Sequence, residues 1–180
     1  MQDITHYMRA GTLSLTSLPP LSLYIHLPWC LKKCPYCDFN SHEVSSRTSQ
    51  IKVHSSLPSA SSSPNLNPDL SSTTPTQHPH LPIALEQQYI AALIADLQSA
   101  LPLIWGRPVQ SIFIGGGTPS LFSPESIESL LSQIRSLLPL VAECEITLEA
   151  NPGTFEKDRF RAFKNAGVTR LSVGVQSFND

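Results

Sequence analysis

The sequence predicts an α/β fold built on a parallel sheet. Two observations carry this. Four short stretches read as strands, and three longer stretches with apolar helical faces fall between them in strict alternation. Strands that alternate with helices are joined as βαβ units, and such units require parallel neighbours.

Taken in order, residues 1–20 form a lead-in that ends in the breaker Pro19-Pro20. In LSLYIHL, Leu21, Leu23, Ile25 and Leu27 alternate with Ser22, Tyr24 and His26, the period of a strand. A cysteine-bearing loop follows. Residues 43–82 are rich in Ser, Pro, Thr and Asn without a sustained apolar period. They cannot bury enough surface to offset their ordering entropy, so a disordered insertion is expected. Its His54, His78 and His80 read as solvated polar side chains. Leu85, Tyr89, Leu93 and Leu97, flanked by Ile90 and Ile94, predict an amphipathic helix closed by Pro102. Ser111 to Ile114 is a short apolar strand running into Gly115-Gly116-Gly117. Ser123-Pro124-Glu125 opens the second helix, with Ser as cap, Pro at the first position and an acid in the first turn. Ile127, Leu130, Leu131, Ile134, Leu137 and Leu138 supply its buried face. Glu143 to Glu149 alternates again, Asn151-Pro152-Gly153 turns, and Phe155 to Ala166 is a helix stopped by Gly167 in a left-handed cap. Arg170 to Gln176 is the fourth strand. Four strands with an uncovered parallel edge suggest a piece of a longer protein, with a core over 21–180 interrupted at 43–82.

Composition excludes several classes. The 180 residues suffice for one domain with a core, at 41% hydrophobic content and a formal net charge of −2. No basic excess is available to neutralise phosphates, so no nucleic-acid partner is expected. No run of about 18 apolar residues suggests a membrane span, and the N-terminus, with Asp3 and no basic region, does not read as a secretory signal. Four cysteines, three of them crowded together, point to metal in a reducing compartment, hence the cytoplasm.

Parallel strands place all their carboxyl ends on one rim, where such proteins build their sites. Cys30, Cys34 and Cys37, the glycine triplet, Glu149 and Gln176 should converge there. The C-x3-C-x2-C loop carries Lys32 and Lys33, whose charge favours thiolates. An odd set of thiols implies a missing partner or a vacant coordination site. Zinc completed by His26, His42 or Cys144 is one reading, and an iron–sulfur cluster with one open iron is another. Cys144 shares its strand parity with Ile146 and Leu148, which favours packing in the core. The glycines either let backbone approach a ligand or make a tight strand-to-loop bend. They match neither a dinucleotide fingerprint nor a P-loop. Glu149 and Gln176 read either as solvated strand-end groups or as partners for ligand protons.

C-x3-C-x2-C after a first strand, with GGGTP after the second, resembles the radical S-adenosylmethionine superfamily. YIHLPWCLKKCPYCDFNSH, IFIGGGTPSL, EITLEANPGTF and RLSVGVQSFN resemble its haem-chaperone branch, relatives of oxygen-independent coproporphyrinogen III oxidase. The resemblance covers about Pro20 to Asp180 apart from the insertion. It implies the N-terminal part of a partial (β/α)6 TIM-like barrel. It implies a [4Fe-4S] cluster on Cys30, Cys34 and Cys37, with S-adenosylmethionine filling the fourth iron position. Tyr24, Tyr36, Gly116, Gly117, Thr118, Glu149 and Gln176 would line that cofactor's pocket. In the superfamily reaction one electron cleaves the sulfonium, leaving methionine and a 5′-deoxyadenosyl radical. The branch further implies haem as cargo, haem-acceptor proteins as partners and an electron donor for the cluster. Its haem-binding region would lie beyond Asp180. The oxidase branch has a further cysteine two positions after the third ligand, where this chain has Phe39. That departure favours a haem chaperone over a porphyrinogen oxidase related to coproporphyrinogen dehydrogenase, and leaves enzymatic turnover open. A structural zinc fragment is the third reading.

Overall fold

Alternation of branched apolar residues with polar ones makes Leu21–Leu27 the first strand, β1. The computed structural model describes residues 18–44, 81–151 and 157–175. The expectations for the lead-in before Leu18, for 45–80 with its three histidines, for Pro152 and Gly153, for Phe155 and for Gln176 lie outside those residues.

Two two-residue strands, β2 (Trp29–Cys30) and β3 (His42–Glu43), follow β1 and pair with each other. Then come α1 (Ile83–Ile104), β4 (Val109–Gly116), a 3-10 turn (Pro119–Leu121), α2 (Pro124–Leu137), β5 (Leu140–Ala150), α3 (Lys157–Ala166) and β6 (Arg170–Val173). The main sheet has the order β1-β4-β5-β6, all parallel, as the alternation of elements predicts. Strands added in one direction by right-handed crossovers put every helix on the same face. That is the winding of a barrel wall rather than of a doubly wound sheet.

The register separates two faces. Ile25 stands beside Ile114, and Ile114 beside Leu148, on the helix side. There Leu27, Ile112, Ile114 and Leu148 are fully buried against Ile127, Leu130, Leu131 and Ile134 of α2 and Phe163 of α3. The opposite face carries the polar parity. Tyr24 lies beside Phe113, Phe113 beside Thr147, and Glu149 beside Ser172. Ser123 caps α2 as its sequence requires, accepting from Ser126 N at 3.2 Å, and Gly167 ends α3 with φ +108°.

Four expectations are corrected. Glu43 pairs in β3 and Leu81 is fully buried, so the ends of the 43–82 segment belong to the fold. Pro102 does not close α1, which continues to Ile104 and ends at Trp105 in the left-handed region. A proline in the last turn forfeits a single backbone bond, which the helix tolerates there. The deeply buried row of α1 is Glu86, Ile90 and Ile94, whereas Leu85, Tyr89, Leu93 and Leu97 are partly buried at its margin. The fourth strand ends at Val173, although Gly174 N still donates to Ala150 O at 3.2 Å.

Candidate functional site

The carboxyl ends of the strands gather a cleft of about 260 Å³. Cys30, Cys34, Cys37 and Tyr36 line it from the loop after β1, Gly116, Gly117 and Thr118 from the end of β4, and Glu149 from the end of β5. Asn151, Ser172 and Gly174 close its far side. The sequence expectation of convergence on one rim therefore holds for Cys30, Cys34, Cys37, Gly116, Gly117 and Glu149, whereas Gly115 does not line the cleft. Tyr24 does not line the cleft. It lies on the polar face of β1, stacked on Phe113 with ring centroids 6.2 Å apart. Gln176 is outside the described residues.

The cysteine loop is clamped at both ends. His42 N donates to Pro28 O at 2.7 Å and Val44 N donates to Cys30 O at 2.8 Å, so β2 and β3 hold the loop shut. Inside it, Cys37 N donates to Cys34 O at 3.1 Å and Ser41 N to Phe39 O at 2.7 Å. The buried Ser41 places its hydroxyl 3.8 Å from Cys37 Sγ. His26 ties the loop to β1. Its Nε2 lies 2.7 Å from Asn40 O, which can only accept, so Nε2 carries the proton. Nδ1 then accepts from Tyr24 Oη at 3.0 Å. Tyr89 adds a bond to His26 O at 2.9 Å and meets Trp29 edge-on at 4.6 Å.

The glycines serve the protein's own close packing. Gly117 N donates to Leu27 O at 2.8 Å and Thr118 N to Trp29 O at 2.7 Å, which joins the glycine loop to the start of the cysteine loop. A Cβ on Gly117 would stand 2.6 Å from Trp29 O and 2.8 Å from the Pro28 carbonyl. Gly116 has φ +120°, a conformation that glycine alone adopts readily. Its N–H donates to Glu149 Oε2 at 3.1 Å. These contacts describe the tight strand-to-loop bend, and the same Gly116 and Gly117 also line the cleft.

Glu149 brings negative charge into the cleft. Burial raises the Tyr24 phenol above its ordinary pKa, and the Glu149 charge adds to the effect. The exposed Tyr36 phenol is raised by its hydrogen bond to Cys34 and by that sulfur's charge. Burial likewise raises the Cys144 thiol, while Arg135 opposes it. Cys144 sits on β5 about 16 Å along the strand from Glu149, at ~3.3 Å per residue.

All four cysteines are free thiols. Among the described residues no three His, Cys, Asp or Glu side chains share one metal-ion position. A cubane asks for something else, because each thiolate takes a different iron. The donor set fits that demand with three thiols on one closed loop. The fourth-ligand candidates for zinc are placed elsewhere: His26 is engaged through both ring nitrogens, while His42 and Cys144 do not line the cleft.

The sequence pattern of the radical SAM superfamily matches residues 24–180. The chain belongs to the radical SAM superfamily. Within the superfamily it is 43% identical over 166 residues to the heme chaperone HemW of Escherichia coli (strain K12), covering 92% of this chain and 34% of that protein. It is 45% identical over 170 residues to HemW of Haemophilus influenzae, covering 92% and 35%. The chain thus spans about a third of the length of the curated relatives it matches. Among solved structures, the radical SAM enzyme coproporphyrinogen III oxidase (HemN) from Escherichia coli aligns with TM-score 0.62 and 28% identity, over 89% of this chain and 29% of that one. The partial TIM-like α/β fold expected from the sequence is the fold observed. Among the described residues no helix is long and apolar enough to cross a membrane.

Sequence reasoning missed a polar cluster behind the cleft, in which Glu86 is buried and Arg159 half-buried. Glu86 of α1 is fully buried and accepts from Ser123 N at 3.1 Å and from Ser123 Oγ at 2.6 Å. Arg159 of α3 donates through Nη2 to Ser120 O at 2.8 Å and to Phe122 O at 3.0 Å. The available signal was an acid four and eight residues ahead of the buried Ile90 and Ile94.

Proposed function

We propose that this chain is the cofactor-binding part of a radical SAM haem chaperone. The observation that carries the reading is the single cleft shared by three free thiols, the glycine rim and Glu149. Cys30, Cys34 and Cys37 hold a [4Fe-4S] cluster, and Tyr36, Gly116, Gly117, Thr118, Glu149 and Gln176 bound the pocket for S-adenosylmethionine. When bound, the cluster supplies a single electron beside an iron open to that ligand. The chain's part is placement. The clamped loop fixes the three sulfurs. Glu149 holds the Gly116 amide through one carboxylate oxygen and supplies an acceptor for the ligand's ammonium group. Tyr24 supports the site indirectly, by fixing the His26 ring that tethers Asn40. Haem is the cargo, haem-acceptor proteins and an electron donor for the cluster are the partners, and the cytoplasm is the compartment.

Glu149→Ala should weaken S-adenosylmethionine binding roughly ten- to a hundredfold while the cluster is retained, since a hydrogen bond to a charged group contributes about 1.5–3 kcal/mol. Equilibrium dialysis of the anaerobically reconstituted protein measures this, and unchanged affinity removes Glu149 from the pocket. The likeness to HemN supports a second reading, a porphyrinogen oxidase. Phe39, exposed at the cleft where that branch has a cysteine, speaks against it. Reconstituted full-length protein should leave coproporphyrinogen III unconsumed, and turnover would favour the oxidase.

A further inference from the structure

The Pro119–Leu121 turn and Phe122 are buried directly behind the glycine rim. A buried backbone segment needs partners for its carbonyls and amides. Arg159 supplies the donors for Ser120 O and Phe122 O, and Glu86 supplies the acceptors for Ser123 N and Oγ. One short segment is therefore gripped from α1 by a buried acid and from α3 by a base. The other end of the same segment, Gly117 and Thr118, is bonded to Leu27 O and Trp29 O and forms the rim of the cleft.

Stability alone is a poor reason for this arrangement. Buried charges contribute little net stability compared with apolar side chains of the same volume. Glu86 occupies the buried row of α1, where Ile90 and Ile94 are apolar. Ser123 already caps α2 by itself through Ser126 N. Arg159 even leaves Nε buried with no hydrogen-bond partner among the described residues. Burial lowers the Arg159 pKa, and the Glu86 and Glu125 charges oppose that shift. What the two charges add is direction, because each fixes specific backbone atoms.

We infer that Glu86 and Arg159 are positioning residues that set the placement of the Gly117–Thr118 rim for its ligand. The inference rests on the reading of that rim as part of the S-adenosylmethionine pocket. The two charges touch no ligand and act through the backbone of Ser120, Phe122 and Ser123.

The test uses E86Q and R159M in the whole chain, with V109A as a control, since Val109 is buried at the opposite end of β4. Three quantities are read: amide hydrogen exchange at Gly117 and Thr118 before reconstitution, S-adenosylmethionine affinity after it, and melting temperature. E86Q and R159M should each speed exchange at these two amides at least tenfold and weaken affinity at least fivefold. V109A should lower the melting temperature comparably yet leave both within twofold. The inference is overturned if neither charge variant speeds exchange, or if V109A moves both readouts as far. Should one charge variant fail to fold, the other decides by the same criteria. Should the unaltered chain bind no S-adenosylmethionine, the pocket reading fails by itself. Exchange then decides the clamp alone: acceleration at Gly117 and Thr118 supports it, and its absence overturns it.

Discussion

Gly117→Ala should lower the unfolding free energy by about 2–4 kcal/mol and detach the glycine rim from the cysteine loop. The added methyl would stand 2.6 Å from Trp29 O and 2.8 Å from the Pro28 carbonyl, both backbone atoms that cannot rotate aside. Overpacking of this kind typically costs about 1–3 kcal/mol. Displacing the rim also puts the Gly117–Leu27 and Thr118–Trp29 bonds at risk, each worth about 1 kcal/mol net. Denaturant titration measures the loss. Gly115→Ala is the informative comparison. Its Cβ would meet Phe113 Cε1 at 2.8 Å and Glu149 Oε2 at 2.9 Å, the far ends of side chains that can move. It should therefore cost less stability than Gly117→Ala while still displacing Glu149. Equal losses in the two variants would show that the contact with the Pro28–Trp29 backbone is not what makes Gly117 necessary.

Cys30→Ala, Cys34→Ala and Cys37→Ala should each abolish cluster assembly, whereas Cys144→Ala should leave about four irons per chain, as for a cubane. The difference follows from placement. Three thiols share one loop and one cleft, while the fourth packs against the helix side of β5. Iron and sulfide analysis after anaerobic reconstitution distinguishes the two sets. If all four variants lose the cluster alike, the assignment of three ligands and one open iron fails.

Much of this fold was legible because its signals are local. Leu21 to Leu27 alternates cleanly, Ser123-Pro124-Glu125 carries a full helix start, and Gly167 stops α3 where the apolar period ends. The convergence of the site was legible for a topological reason, since parallel strands share a carboxyl edge whatever their sequence. What stayed hidden depends on tertiary neighbours. Pro102 reads as a helix end, yet the chain carries α1 two residues further. Glu86 reads as one more polar residue at the start of a helix, and only the approach of Ser123 from α2 makes its burial tolerable. The glycine triplet signals close approach without saying to what, and the answer at Gly117 is the chain's own Pro28–Trp29 backbone. Tyr24 shares its parity with His26, but its phenol bonds to that imidazole and it does not line the cleft.

The measurement that bears most directly on the central reading is electron paramagnetic resonance of the reconstituted, chemically reduced protein with and without S-adenosylmethionine. A cluster held by Cys30, Cys34 and Cys37, with its fourth iron open, predicts a reduced-cluster signal whose g-values shift when that ligand is added. A signal that is identical in its presence, or a protein that takes up no iron, would contradict it.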